Sequence, residues 1–284
     1  MKTFALAAVL AAAVVRGPVP NAHRVSPYVG AIAVEAETGR VLVADRVDRE
    51  CYPASCTKLM TARLLLKAVR DGTIAPDEPL VQSKRSAQEQ PSKIDLLPGE
   101  TISVRNAMTA LMLKSANDVA VIVAERLGGS IEGFAQMMND EAAALGMTHT
   151  HFVSPNGLPP PKGSNRGFDR STAADLAKLG VALVKEQPEI LAFTKMEKAT
   201  IPGRGGEPLT VYNHNNLLWK KSVKVAGVDG LKTGYIDAGG SSIVLTGTRD
   251  GHRAIVVVVG SAGAKERDAH AARLLNDALG ALAW

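Results

Sequence analysis

The chain has 284 residues, of which 46% are hydrophobic and 21% charged, a composition typical of a globular protein with a sizeable buried core. Its 33 lysines and arginines exceed its 28 acidic residues, giving a formal charge of +5, but they are spread along the chain, and aromatic residues make up only 4%. Nucleic-acid binders usually combine a clustered basic face with stacking aromatic side chains, so no nucleic-acid partner is expected. The 2 cysteines exclude a disulfide scaffold and a four-cysteine zinc site.

The beginning of the chain has the features of a signal peptide. A short positive start, Met1–Lys2, precedes the apolar run Phe4–Val15. A membrane-spanning helix needs about 20 apolar residues, so this run is too short for an anchor. We expect a signal peptide over residues 1–22, although Pro20 departs from the small-x-small pattern of cleavage sites. The alternative is a buried N-terminal helix.

The remainder shows no linker, low-complexity stretch or repeat, so residues 23–284 are expected to form one catalytic domain. Alternating apolar residues in Gly30–Val43, around a Glu-Thr-Gly-Arg turn, predict a β-hairpin. Ser55–Arg70 is predicted to be a helix, and it should be buried because apolar residues cover nearly its whole circumference. Further helices are predicted over Val104–Lys114, Asp118–Leu127 and Ser171–Val184.

The last part of the chain changes from helical to β-rich patterns. Ile243–Thr246 and Ala254–Val259 are β-rich runs joined by Arg249-Asp250-Gly251, which predicts a second hairpin. The final segment carries apolar residues at helical spacing from Ala271 to Leu282. Strands at both ends with helices between them indicate a mixed α+β fold. Its antiparallel sheet would be built from both ends of the chain and sandwiched by helices, with a separate helical lobe.

The first candidate for chemistry is Ser55, followed three residues later by Lys58 at a predicted helix start. At that spacing the two side chains share one face of the helix. A lysine with a depressed pKa can take the proton of a serine hydroxyl, and free N–H groups at the helix start can stabilise an oxyanion. On its own, the pair is equally compatible with a capping serine beside a surface lysine.

A second candidate, Ser115-Ala116-Asn117, lies in a short break between two predicted helices, with Asp118 as the expected N-cap of the second. A hydroxyl and an amide two residues apart can both face a cleft. Another tripeptide of this type, Ser154-Pro155-Asn156, lies in a loop rich in glycine and proline, so the pattern itself has low specificity. We favour the first because of its helical flanks and its position between the other two candidates; an ordinary polar turn is the alternative.

The third candidate is Lys232-Thr233-Gly234, followed by Tyr235, in a predicted strand. On a strand, Lys232 and Gly234 point to the same face. A cation there can hold an anionic group, and a glycine leaves the cleft open. An edge strand with a turn would show the same pattern. In this order, however, the three elements match the trio found in class A β-lactamases and penicillin-binding proteins.

With these motifs, the chain resembles the low-molecular-mass penicillin-binding proteins, which are serine D-alanyl-D-alanine carboxypeptidases of peptidase family S11. The resemblance spans most of residues 28–280, in the stretches Tyr52–Thr61, Lys114–Ala120, His151–Val153, Asn156–Leu158, Ser171–Ala173, Asn213–Leu218 and Val228–Tyr235. It implies the fold shared by DD-peptidases and β-lactamases, with the active site between the sheet and a helical subdomain.

The resemblance also implies catalytic roles for five residues. Ser55 would be the acylated nucleophile, Lys58 its base and Ser115 the proton relay. Asn117 would hold the substrate amide, and Lys232 would stabilise anionic charge.

Further residues would bind the substrate. Thr233 and Gly234 would line the cleft, and the backbone N–H groups of Ser55 and Tyr235 would form the oxyanion hole. Arg267, at the start of the last helix, would contact the terminal carboxylate of the substrate. A solvated surface arginine is the alternative reading of Arg267.

The implied activity is removal of the terminal D-alanine from peptidoglycan stem pentapeptides through an acyl-enzyme on Ser55, with β-lactam antibiotics as covalent inhibitors. No cofactor is expected, and the 6 histidines show no metal-ligand spacing. The signal peptide implies export to the periplasm or cell envelope. The chain resembles the single-domain members, without a C-terminal β-domain or membrane helix, so no stable membrane anchor is expected.

Other activities remain open at this point. Some single-domain members are endopeptidases that act on peptidoglycan cross-links, and this is the main alternative. A β-lactamase is less favoured because no Glu-x-x-Leu-Asn segment is present, and a β-lactam sensor because no signalling segment is evident.

Two positions depart from the family pattern. Cys56 replaces a large aliphatic residue, and Ile236 replaces a residue that is often hydroxylated. A disulfide between Cys51 and Cys56 is not favoured across a strand-to-helix turn.

Overall fold

The computed structural model describes residues 28–283, so the predicted signal peptide of residues 1–22 lies outside the described range. In chain order the strands are β1 Gly30–Glu35, β2 Val41–Asp45, β3 Pro79–Val81, β4 Thr101–Ser103, β5 Lys198–Pro202, β6 Pro208–Tyr212, β7 Val228–Ile236, β8 Gly240–Arg249 and β9 His252–Ser261. The α-helices are α1 Lys58–Arg70, α2 Val104–Thr109, α3 Asn117–Gly128, α4 Ile131–Ala144, α5 Ala173–Glu186, α6 Ile190–Thr194, α7 Asn216–Trp219 and α8 Ala264–Leu282.

The central sheet has five antiparallel strands in the order β2-β1-β9-β8-β7. Strand β1 pairs with β9, with Ile32 opposite Val257, so the two ends of the described chain meet in the middle of the sheet. Both predicted hairpins are present, as β1-β2 and β8-β9. The prediction of an antiparallel sheet built from both ends of the chain is confirmed.

Both faces of the sheet are covered by helices. In β9, Ile255 and Val257 belong to the core that includes α1 and α5, whereas Val256 and Val258 belong to a second core against α8. Because successive side chains of a strand point to opposite faces, this double burial explains why the strand is apolar at nearly every position.

The helical lobe contains α2, α3 and α4, and α1 lies between this lobe and the sheet. Leu59 and Leu65 of α1 are fully buried, as the all-round apolar pattern predicted. Two predicted helices are subdivided. Residues 54–57 form a 3-10 turn before α1, and residues 110–114 form a π-helical turn after α2.

Helix α5 begins two residues later than predicted because Thr172 caps it, its Oγ1 accepting the backbone N–H of Asp175 at 3.1 Å. The hairpin β5-β6 was not among the predicted elements. Its strands are half-exposed, and polar residues interrupt their apolar pattern. Within residues 28–283, no helix is both long enough and apolar enough to span a membrane.

Candidate active site

Ser55 lies on the 3-10 turn Ala54–Thr57, directly before α1. Thr57 Oγ1 donates to Asp169 Oδ2 at 3.0 Å, which ties one side of the turn to a buried carboxylate. On another side, Gly157 lies so close that a Cβ on it would overlap with the carbonyl oxygen of Ala54. The turn is therefore held between neighbouring segments, and this fixes the position of the Ser55 hydroxyl.

Lys58 is fully buried and its Nζ has three partners. It lies 3.0 Å from Ser55 Oγ, 2.7 Å from Asn117 Oδ1 and 2.8 Å from the backbone oxygen of Asn156. Burial, followed by the positive charge of Lys232, lowers the pKa of Lys58 well below its ordinary value. The neutral amine, which can accept a proton from Ser55, is therefore favoured here.

The predicted break between helices is present, and it positions both Ser115 and Asn117. Ser115 ends the π-helical turn with a left-handed backbone (φ +59°, ψ +36°). Its buried Oγ has no hydrogen-bond partner within residues 28–283. Asn117 Nδ2 donates to the backbone oxygen of Gln90 at 2.9 Å, which orients Oδ1 of the same amide toward Lys58.

The expectation that Asp118 caps α3 is wrong. The helix begins one residue earlier, at Asn117, with Ala116 in the N-cap position. Asp118 is buried and accepts the backbone N–H groups of Ile94 and Asp95 at 3.0 and 3.1 Å. Its carboxylate thus ties the preceding loop to α3.

Lys232 lies on β7, at an edge of the sheet, and its side chain is buried. Its Nζ donates to the backbone oxygen of Thr233 at 3.1 Å. Burial, together with the charge of Arg267, lowers the pKa of Lys232 to about 8. Lys232 is therefore a cation at neutral pH, with few protein partners for its charge.

Gly234 brings β7 against the turn that carries Ser55. A Cβ at Gly234 would lie 2.7 Å from the Pro53 oxygen and 3.0 Å from the Ser55 nitrogen. Only a residue without a side chain allows this approach. The neighbouring Tyr235 is 60% exposed, and its hydroxyl donates to Asp237 Oδ1 at 2.7 Å.

Arg267 is not a solvated surface residue, since only 4% of it is exposed. Its Nε and Nη2 both donate to Asp268 Oδ1, at 2.9 and 2.7 Å. Asp268 Oδ2 in turn accepts from Asn216 Nδ2 at 3.0 Å. The guanidinium is close enough to Lys232 to lower the pKa of that side chain. The structure thus brings Arg267 to the same region as Lys232 and pairs it with an acidic neighbour.

Sequence reasoning missed Asn156, because the tripeptide that contains it was set aside in favour of Ser115-Ala116-Asn117. Both tripeptides in fact supply an acceptor for Lys58. Sequence reasoning also missed Asp169, whose buried carboxylate accepts from Thr57 and from the backbone N–H groups of Val153 and Ser154. The Ser-x-Asn pattern pointed to Asn156, whereas no local pattern pointed to Asp169.

Cys51 and Cys56 are both buried and free, and they form no disulfide in this structure. Burial raises the pKa of both thiols, that of Cys56 to about 11. Cys56 Sγ donates to the backbone oxygen of Lys232 at 3.6 Å. These thiols are therefore protonated, and Cys56 fills the space between the turn and β7.

In residues 28–283, no group of three or more histidine, cysteine or acidic side chains could hold a metal ion. The groups that the structure places at the site are a serine beside a buried amine, a second hydroxyl that has no hydrogen-bond partner among residues 28–283, and a buried cation on the strand that carries Gly234. Such a set suits acyl transfer through a covalent serine ester.

The comparisons with known proteins point to one family. The family model described as D-alanyl-D-alanine carboxypeptidase, Peptidase S11, matches residues 26–263. The D-alanyl-D-alanine carboxypeptidase DacD of Escherichia coli is 32% identical over 86% of this chain and 61% of its own length. DacF of Bacillus subtilis is 32% identical over 87% of this chain, which spans 60% of that relative.

Among solved structures, penicillin-binding protein D2 from Listeria monocytogenes, in its cefotaxime-bound form, aligns with a TM-score of 0.77 and 31% identity. The alignment covers 92% of this chain and 99% of that one. Because the family model matches residues 26–263, which is most of the sequence, the chain belongs to the D-alanyl-D-alanine carboxypeptidase family, peptidase family S11.

Proposed function

We propose that this protein is a serine DD-carboxypeptidase that removes the terminal D-alanine from peptidoglycan stem pentapeptides. One observation carries the proposal: the Nζ of a fully buried lysine, Lys58, lies 3.0 Å from the Ser55 hydroxyl. The lowered pKa of Lys58 supports its role as the base. β-Lactams would acylate the same serine, which is in keeping with the cefotaxime-bound relative.

In the acylation step, the Ser55 hydroxyl gives its proton to Lys58, and its oxygen attacks the carbonyl carbon of the penultimate D-alanine. The backbone N–H groups of Ser55 and Tyr235 stabilise the oxyanion that forms. The peptide C–N bond then breaks, and the amine of the leaving D-alanine takes the proton from Lys58 through Ser115. A buried hydroxyl that finds no hydrogen-bond partner in the described part of the chain, as at Ser115, suits this relay.

The remaining site residues hold the substrate during this step. Asn117 lies at the start of α3, with its Oδ1 toward Lys58, and would hold the substrate amide. Lys232, Thr233 and Arg267 would hold the terminal carboxylate, while Gly234 lets β7 approach the turn that carries Ser55. Deacylation reverses the proton path: Lys58 takes a proton from water, the hydroxide oxygen bonds to the ester carbon, and the Ser55 oxygen leaves with that proton.

The proposed substrate class supports a location in the periplasm or cell envelope. Stem peptides are built into the wall outside the cytoplasm, and the apolar run Phe4–Val15 supports export.

The second candidate function is endopeptidase cleavage of D-alanyl cross-links. Release of D-alanine from a pentapeptide, measured alongside nitrocefin turnover and cleavage of a cross-linked dimer, separates the possibilities. A carboxypeptidase releases D-alanine and turns nitrocefin over slowly. Cleavage of the dimer without D-alanine release would replace the proposal by the endopeptidase, and fast nitrocefin turnover alone by a β-lactamase.

Arg267 provides a sharper test of the carboxypeptidase assignment. We expect Arg267→Ala to lower kcat/KM for a peptide ending in D-Ala-D-Ala by about one to two decades, the effect of losing a charge-assisted bond of about 1.5–3 kcal/mol. The kcat/KM for the C-terminal amide of that peptide should fall much less. Arg267 is buried and paired with Asp268, so its replacement can reduce the amount of folded enzyme. The quantity compared is therefore the ratio of kcat/KM for the acid peptide to kcat/KM for its amide, measured within each variant. This ratio is independent of any loss of folded enzyme. An unchanged ratio would contradict the assignment.

A further inference from the structure

The two asparagines that contact Lys58 are supported by neighbouring residues of one segment. Asn117 Nδ2 donates to the backbone oxygen of Gln90 at 2.9 Å. Asn156 Nδ2 donates to Glu89 Oε2 at 3.1 Å. Glu89 and Gln90, which are consecutive in sequence, thus each hold one of the two asparagines whose oxygens accept from Lys58 Nζ.

The two supports differ in chemistry. Gln90 contributes a backbone oxygen, which any residue at that position would supply. Glu89 contributes a side chain, so its identity matters. It is half-buried, between the segment of Arg85 and the loop of Arg166, and burial raises the pKa of its carboxyl while these arginines lower it. Burial is the larger effect, so the pKa of Glu89 is raised overall. In its ionised form, Glu89 places a negative charge beside Asn156, whose backbone oxygen accepts from Lys58.

The charge of Lys232 on β7 lowers the pKa of Lys58, whereas Asp169, Cys56 and Glu89 raise it, in that order of size. His214 also lies near Lys58, whose charge lowers the pKa of that imidazole. Asp169 is already held by Thr57 and backbone donors. The Cys56 thiol is neutral because its pKa is about 11. Of the two carboxylates, Glu89 is the one with a single side-chain partner in the described residues, Asn156.

We propose that Glu89 is a positioning residue for the base: it holds the side chain of Asn156, whose backbone oxygen accepts from Lys58, and it adds a negative charge near that amine. The proposal rests on the proposed role of Lys58 in acylation. The direction of the effect of Glu89 on the pKa of Lys58 follows from electrostatics, since a nearby carboxylate favours the protonated amine. Removal of the charge therefore lets Lys58 lose its proton at lower pH.

The test is the pH dependence of the second-order rate constant for acylation by a chromogenic β-lactam. Glu89→Gln keeps an oxygen that can accept from Asn156 but removes the charge. We expect its acid limb to move down by about 0.3–1 pH unit, the size of effect that one charge beyond hydrogen-bonding distance produces. The plateau rate should stay within about twofold of wild type.

Two further variants separate the effect of the Glu89 charge from the effect of its hydrogen bond with Asn156. Glu89→Asp keeps the charge but shortens the reach, so its acid limb should stay near that of wild type while the plateau falls. Glu132→Gln makes the same charge change on an exposed residue of α4 and should overlay wild type. Thermal unfolding of each variant identifies any loss of folded protein.

If the acid limb of Glu89→Gln coincides with that of wild type, the proposal is overturned. The same holds if Glu132→Gln moves the limb equally, because the effect would then be one of net charge. Failure of the underlying function is separately visible, since wild type itself would then show no acylation at any pH.

Discussion

Replacing Lys58 by arginine is expected to lower the rate constant for acylation of Ser55 by about 10²- to 10⁴-fold, the contribution of a positioned general base. A guanidinium keeps its proton across the accessible pH range, so it cannot accept the proton of the serine hydroxyl. The measurement is the second-order rate of acylation by a chromogenic β-lactam.

The matched control is Lys67→Arg, on the same helix. The side chain of Lys67 is 53% exposed and pairs with Glu141 at 2.9 Å. Its variant should react like wild type, because arginine retains that pairing. Acylation of Lys58→Arg at the wild-type rate would show that another group accepts the proton.

The second large effect concerns the basic side of the pH profile. With a pKa of about 8, Lys232 loses its charge as the pH rises through that value, and the site then loses its cation for the substrate carboxylate. Wild-type acylation should therefore decline above about pH 8.

Lys232→Arg should retain part of the activity, and its acylation rate should decline only at higher pH, because guanidinium remains charged. We expect a plateau about tenfold below wild type, since the wider group fits the buried position less well. Lys224→Arg, at an exposed position, serves as the control. A basic limb that stays near pH 8 in Lys232→Arg would assign the decline to another group.

The two lysines are both buried, yet the structure gives them different surroundings. Lys58 has three oxygen partners and a strongly lowered pKa, whereas Lys232 has one backbone partner and a pKa near neutrality. Two cations close together repel each other, so one of them is more readily neutral. The surroundings favour Lys58 as the base and Lys232 as the anion-binding group.

Sequence alone predicted the elements whose patterns are local. The alternation in Gly30–Val43 and the all-round apolar face of α1 report burial directly, and both predictions are confirmed. The hairpin β5-β6 was not predicted because its strands are half-exposed. The observed helix boundaries differ from the predicted ones where a capping side chain fixes the end of the helix, as Thr172 does for α5.

The same distinction applies to the site. Ser55 and Lys58 are neighbours on one helical turn, so their spacing predicts their contact. The contacts of Glu89 with Asn156 and of Asp169 with Thr57 join residues far apart in sequence, and no local pattern encodes them. The burial of Arg267 was likewise not readable, since its flanking charges are typical of an exposed helix start.

The most direct test of the account is the identity of the acylated residue. Intact-mass spectrometry after incubation with a penicillin should show one adduct per chain, and peptide mapping should place it on Ser55. Ser55→Ala should show none, while retaining the thermal unfolding temperature of wild type. An adduct of comparable yield that survives in Ser55→Ala, or that maps to another residue, would contradict the central claim.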